Sequence, residues 1–234
     1  MKIIGLGICF VLVLCSPSLV PSASGVTGQA VLIEIQNRYE NTNDMEARFL
    51  QEFVGKMMKQ AQKGEGKVYF KKKGMMRWDY KVPNQKFISN GNVVWYYQPD
   101  ENQVLVYDLS NLIKEKTPLA FLAGEGKLDR DFDLVSFNEA ASQKEGSYVV
   151  ELVPKEPHAG LSKLILTVDR KMFFVNQADV IDMLGNVTRT RFMDIKTNVG
   201  LQASFFNFTI PPGADVMKVQ EPQGAPPAKG TPVK

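Results

Sequence analysis

The stretch Gly64 to Gln103, GEGKVYFKKKGMMRWDYKVPNQKFISNGNVVWYYQPDENQ, limits the fold more than any other part of the chain. Val68 and Phe70 fall on one side of an extended segment, and Lys67, Tyr69 and Lys71 on the other. This is the two-residue alternation of a half-buried antiparallel strand. The cluster Lys71 to Gly74 breaks the pattern, and Met76, Trp78 and Tyr80 restart it. A turn at Pro83-Asn84 leads into a third strand, Gln85 to Ser89. Asn90-Gly91 then separates that strand from Val93-Val94-Trp95-Tyr96-Tyr97, a pairing that predicts a two-residue type I′ hairpin because both residues tolerate positive φ. The product is a curled sheet with an aromatic face.

The same logic extends over the rest of the chain. Val31, Leu32, Ile35 and Tyr39 recur at helical spacing and predict an amphipathic helix over Gln29 to Glu40. Ala47 to Phe53 alternates, with Gln51 set between Phe49 and Phe53; an amide there needs hydrogen-bonding partners and suggests a rim position. Val104 to Leu109 is a further strand. Thr117-Pro118 followed by Leu119, Phe121 and Leu122 reads as a capped helix start, with a short second helix ending at Gly124. Strands are then expected at Phe132 to Asn138, Ser147 to Val153, Leu161 to Asp169, Met172 to Ile181, Val187 to Lys196 and Ala203 to Ile210, with turn residues between them. About ten strands in succession with two helices imply a mainly β fold, an antiparallel meander that is closed or partly closed.

The 234 residues are 44% hydrophobic, enough for one substantial core, and one domain is expected over residues 25–212. Residues 1–24 have the layout of a cleaved export signal: Lys2, an apolar run from Ile3 to Cys15, then small residues around Ala23 to Gly25. Leu14 is not the small residue that lipid modification of Cys15 requires. Both cysteines, Cys9 and Cys15, lie in this leader, so the exported chain has none and must be held by its core. The net charge of +3 falls to +2 without Lys2, too weak to argue for nucleic acid. Residues 213–234, rich in Pro, Gly, Ala and Lys towards the end, are expected to be a disordered tail.

Catalytic chemistry has little support. His158 is the single histidine and sits in the polar turn KEPHAGL with no nucleophile motif, so no enzyme is expected. Asp129, Asp131 and Asp133 are spaced like the start of a calcium loop, but Leu134 and Ala140 stand where glycine and glutamate are required, and no metal is expected. Two GEGK segments, at Gly64 and Gly124, lack the flanks of a phosphate loop, and no cofactor is implied. What remains is apolar surface. A sheet of this many strands encloses more space than its own side chains readily fill, as in lipid carriers. The large residues that alternate on strands are Phe49, Phe53, Phe70, Met76, Trp78, Phe87, Trp95, Tyr97, Phe192, Phe206 and Phe208. They either form the packed core of an ordinary barrel or, as a set, point to such a cavity, with Phe49, Phe53, Phe70, Met76, Trp78, Phe87 and Trp95 as its lining and Ile35, Leu119, Phe121 and Leu122 as a helical lid.

The strand RFLQEF, the segment KVYFKKKGMMRWDY, the hairpin NGNVVWYYQPDENQV and the later TPLAFLAG together resemble the periplasmic outer-membrane lipoprotein carriers of the LolA type, from about Val31 to Pro211. The resemblance implies an incomplete antiparallel β-barrel of about eleven strands, with helices lidding a hydrophobic cavity. It also implies a monomeric periplasmic chaperone that takes acylated lipoproteins from an inner-membrane ABC transporter and hands them to an outer-membrane acceptor. Covering the acyl chains is the physical task, since each methylene costs about 0.8 kcal/mol in water. The family pattern has Arg-Pro where this chain has Lys72-Lys73, so Lys72, with Arg77 beside the sheet tryptophan, becomes the candidate for lid latching or docking. Lysine offers a point charge in place of a planar fork, which makes for a looser latch. A lipid or glycolipid carrier, or an envelope-stress sensor of the same architecture, is the alternative.

Overall fold

The computed structural model describes residues 25–57, 60–110, 126–138, 146–157 and 160–219. The leader, the helix expected around Leu119, Phe121 and Leu122, His158 and the residues from 220 onward lie outside them.

The chain opens with helix α1 (Gly28–Glu40), where Thr27 Oγ1 accepts the N–H of Ala30 at 3.2 Å as an N-cap. Five strands follow in sequence: β1 (Asp44–Val54), β2 (Gln62–Lys71), β3 (Met75–Val82), β4 (Gln85–Asn90) and β5 (Val93–Gln98). After β6 (Gln103–Asp108) come the single-turn helix α2 (Leu128–Asp131) and strands β7 (Phe132–Asn138), β8 (Ser147–Pro154), β9 (Lys163–Asp169), β10 (Val175–Ile181), β11 (Val187–Thr197) and β12 (Asp215–Lys218). All twelve strands belong to one sheet, in the order β12-β6-β5-β4-β3-β2-β1-β11-β10-β9-β8-β7. Its end strands, β12 and β7, do not meet, so the barrel is unclosed as expected. Every neighbouring pair is antiparallel except β12 with β6.

Three local expectations are corrected. Only Gly91 takes a positive φ (95°) in the β4-β5 turn; neither Asn90 nor Asn92 does, so the hairpin is not type I′. Instead Asn90 Oδ1 accepts the N–H groups of Asn92 and Val93, each at 3.0 Å, an Asx turn. A side chain on Gly91 would place its Cβ 2.5 Å from the Lys73 carbonyl oxygen. Residues 203–210 do not form a strand: Ala203–Phe206 is a 3-10 turn, and the following residues run unpaired. The ordered sheet also continues past Pro212, because Asp215–Lys218 adds β12 to the edge of β6 where a disordered tail was expected.

The register assigns the two faces of the sheet. Val68, Trp78, Phe87 and Tyr96 stand opposite one another across β2 to β5 and share the inner face, which α1 covers. The same face continues through Phe49 and Phe192, which pair across β1 and β11, to Leu166 and Val150 on β9 and β8. The outer face carries Tyr69, Arg77, Ile88, Trp95 and Val106 at the alternate positions.

Candidate functional site

The inner face is built from the α1 stripe downward. Val31, Leu32, Ile35 and Tyr39 turn their side chains onto the sheet and are all but fully buried, Ile35 completely. Gly28, at the first turn, lets the helix close on β7: a Cβ there would lie 2.7 Å from Leu134 Cδ2 and from Phe137 Cβ. At the other end Tyr39 packs edge-on to Phe174, centroids 5.8 Å apart, and its hydroxyl accepts the N–H of Val175 at 3.2 Å. Burial holds the Tyr39 hydroxyl far above its ordinary pKa. Arg38 stacks over the Phe174 ring at 5.3 Å.

The same core as the α1 stripe holds an aromatic cluster centred on Trp78. Phe49 meets Trp78 and Tyr80 edge-on, both at 4.8 Å between centroids, and Phe70 meets Trp78 at 5.8 Å. Phe192 and Tyr80 complete the ring of neighbours at 6.1 and 6.3 Å. Gln51 has the partners its position demanded: its side-chain N–H donates to Thr190 Oγ1 at 3.1 Å, and its Oε1 accepts the Tyr80 hydroxyl at 3.0 Å. Gln51, Phe53 and Tyr80 border a small cleft with Gln62, Lys63, Gly64 and Pro83 that holds about 30 Å³ of free space. Ligand pockets usually span roughly 300–1,000 Å³. This cleft is far smaller than that, and the lid residues expected around Leu119, Phe121 and Leu122 lie outside the described ones.

The outer face has a cover that the sequence did not disclose. Residues 201–210 run across it as a strap. Phe206 is fully buried, Phe205 packs edge-on to Tyr69 at 4.9 Å, and Phe208 lies 5.4 Å from Tyr97 and 6.2 Å from Trp95. Ile88 and Val104, on the same side of the sheet, are buried with them. Asp44, at the start of β1, anchors the strap by accepting the N–H groups of Val199, Gly200 and Leu201 at 2.7, 3.2 and 3.2 Å. The run Phe205-Phe206-Asn207-Phe208 was the available signal, since adjacent phenylalanines do not fit a two-sided strand.

A family profile described as "Outer membrane lipoprotein carrier protein LolA" matches residues 40–209, from the end of α1 to the end of the strap. The chain belongs to the LolA family. A LolA-family relative from Pseudomonas aeruginosa (strain UCBPP-PA14), named "Outer-membrane lipoprotein carrier protein", is 34% identical over 173 residues, covering 74% of this chain and 80% of the relative. A protein of the same name from Methylobacillus flagellatus is 31% identical over 180 residues, covering 76% and 84%. The crystal structure of an uncharacterized conserved protein from Thermus thermophilus shares the fold, with a TM-score of 0.51 at 14% identity over 82% of this chain and 98% of that one.

Within this LolA-family framework the expected ligand-binding residues divide into groups. Ile35, Phe49, Phe70, Met76 and Trp78 are buried together on the inner face, and Phe87 and Phe53 are half-buried along the same face. Trp95 is not among them: it stands opposite Ile88 and Val106 on the outer face, against Phe208. One strand was thus read with the wrong side inward, because β5 carries aromatic residues on both sides. Leu119, Phe121 and Leu122 lie outside the described residues. Arg77 belongs to the outer face too, where its Nε donates to Asp79 at 2.8 Å and its Nη1 to the Phe205 carbonyl at 3.1 Å. It fastens the strap and not the helical cap. Lys72 sits exposed in the β2-β3 turn, its backbone N–H donating to the Asn43 carbonyl at 3.0 Å beside the linker that leaves α1. Asp129, Asp131 and Asp133 do not converge: Asp131 accepts the Lys127 N–H and pairs with Arg130, while Asp133 faces Lys155.

Proposed function

We propose that this protein is a periplasmic lipoprotein chaperone that shields the acyl chains of lipoproteins on the inner face of its sheet. What supports the reading, beside the family match, is α1: its apolar stripe is buried in one core with the inner-face residues, where this reading seats the acyl chains. A stripe of this kind is a removable substitute. Four side chains leave the sheet together, and hydrocarbon of similar area replaces them, so capture and release exchange nearly equal burial. That balance suits a carrier, which must lose its cargo to the next site.

In this reading residues 1–24 direct export and are removed, an inner-membrane ABC transporter loads the chain, and an outer-membrane acceptor unloads it, with the carrier a monomer throughout. Binding rests on apolar area and involves no catalysis. Lys72, beside the α1–β1 linker, is the candidate for regulating the cap. Its replacement by leucine should alter the rate at which bound lipoprotein is released, and an unchanged rate would remove it from that role. The decisive experiment purifies the chain from the periplasm of cells producing labelled lipoproteins. Acylated lipoproteins should co-purify and stay soluble; a carrier recovered free of acylated cargo under conditions of active lipoprotein export would overturn the proposal.

A further inference from the structure

We propose that the indole N–H of Trp78 is a hydrogen-bond donor reserved for the ester or amide carbonyl of a bound acyl chain. This rests on the carrier reading above. Among the described residues Trp78 Nε1 and Asp79 Oδ1 are the buried side-chain polar atoms without a partner. Asp79 still uses its other oxygen, which accepts Arg77 Nε at 2.8 Å on the outer face. Trp78 has a single polar atom, so its whole hydrogen-bonding capacity is idle. The other buried polar groups of the inner face are satisfied. Tyr39 accepts from Val175, Tyr80 donates to Gln51, Gln51 donates to Thr190, Tyr96 donates to Gln85 at 2.6 Å, and Ser89 donates to the Gly74 carbonyl at 3.0 Å.

An unpaired buried donor is costly, and a phenylalanine would pack between Phe49, Phe70 and Phe192 without that cost. The chemistry of the site limits what can satisfy the indole. Among the described residues its ring neighbours are Phe49, Phe70, Tyr80 and Phe192, which supply no counter-charge to a buried free fatty-acid carboxylate. A neutral carbonyl on a long apolar chain fits: the hydrocarbon replaces the α1 stripe, and the carbonyl oxygen meets Nε1. The contact would therefore select acylated lipids and lipopeptides over free fatty acids and plain hydrocarbons.

The chain contains only two tryptophans, Trp78 and Trp95, on opposite faces of the sheet. The ¹⁵N-labelled protein thus has two indole N–H signals, with Trp95 as an internal reference. Titration with methyl palmitate should move the Trp78 proton signal downfield, whereas octadecane, which has no hydrogen-bond acceptor, should bind without that shift. Trp78→Phe, which keeps an aromatic ring in place, should weaken methyl palmitate about five-fold and leave octadecane unchanged, the size of one neutral hydrogen bond. Equal responses of the Trp78 signal to ester and alkane would overturn the proposal while leaving the carrier intact, and this measurement needs no variant. Failure of both probes to bind would overturn the carrier reading and this contact with it.

Discussion

The guanidinium of Arg77 lies 4.7 Å over the ring of Phe205 and donates to the carbonyl oxygen of the same residue at 3.1 Å. One side chain thus grips the strap twice, by its plane and by its edge. Both contacts need the flat, forked shape of arginine.

Arg77→Lys should therefore behave almost like Arg77→Ala. Each is expected to cost about 1–3 kcal/mol in unfolding free energy, the range of a charge-assisted hydrogen bond plus a partly buried cation–π contact. Amide hydrogen exchange should quicken at residues 201–210 ahead of the strands. Full rescue by lysine would show that charge alone suffices.

Asp44 supports the other end of the strap through three backbone N–H groups. Asp44→Asn keeps one acceptor oxygen and loses the charge, so a loss of about 1–3 kcal/mol is expected. Faster exchange should be confined at first to the amides of Val199, Gly200 and Leu201. A denaturant midpoint equal to that of the parent protein would contradict the anchoring role.

The α1 cap can be tested with neighbours of opposite exposure. Ile35 is fully buried, whereas Ile33 is half exposed. Ile35→Ala should cost about 2–5 kcal/mol and increase binding of an apolar fluorescent dye to the uncovered inner face. Ile33→Ala should stay within about 0.5 kcal/mol of the parent.

Stability should fall in alkali. Burial pushes the Tyr96 hydroxyl up to about 12, with Glu101 and Tyr107 adding to the rise, against an ordinary value of 10.0. Below pH 10 the proton is held in both folded and unfolded chains, and the neutral hydroxyl is fully compatible with the fold. Between pH 10 and 12 the unfolded chain releases it and the folded chain does not, so unfolding becomes easier as pH rises. Burial likewise raises Tyr39 and Tyr80. Urea midpoints measured from pH 9 to 12 should decline, and Tyr96→Phe should make the decline shallower.

Much of this architecture was legible in the residues. Helix α1 fell within one residue of its expected start, and β1 to β6 followed the alternation, because each of these elements buries one face against a common core. The cluster of Phe49, Phe70, Met76 and Trp78 was legible for the same reason. Trp95 was not, since β5 is covered on both faces and alternation cannot tell a helix-covered side from a strap-covered one. The strap itself was misread as a strand because its phenylalanines resemble a buried run, whereas its path is set by tertiary contacts with Asp44, Tyr69, Arg77, Trp95 and Tyr97. Sequence spacing says which side chains point together, but not whether a helix or a guest occupies the room between them.

A sheet that stops at β12 on one side and β7 on the other has a seam where a closed cylinder would have a continuous hoop of hydrogen bonds. Its girth can change by small adjustments of twist shared among many strand pairs, with no ladder broken. Among the described residues β12 and β7 carry no further strand on their outer sides, and β12 is only the four residues Asp215–Lys218, bounded by an aspartate and a lysine, too short and too charged to invite another strand. Elasticity across the trough and reluctance to stack edge to edge thus come from the same missing bond row.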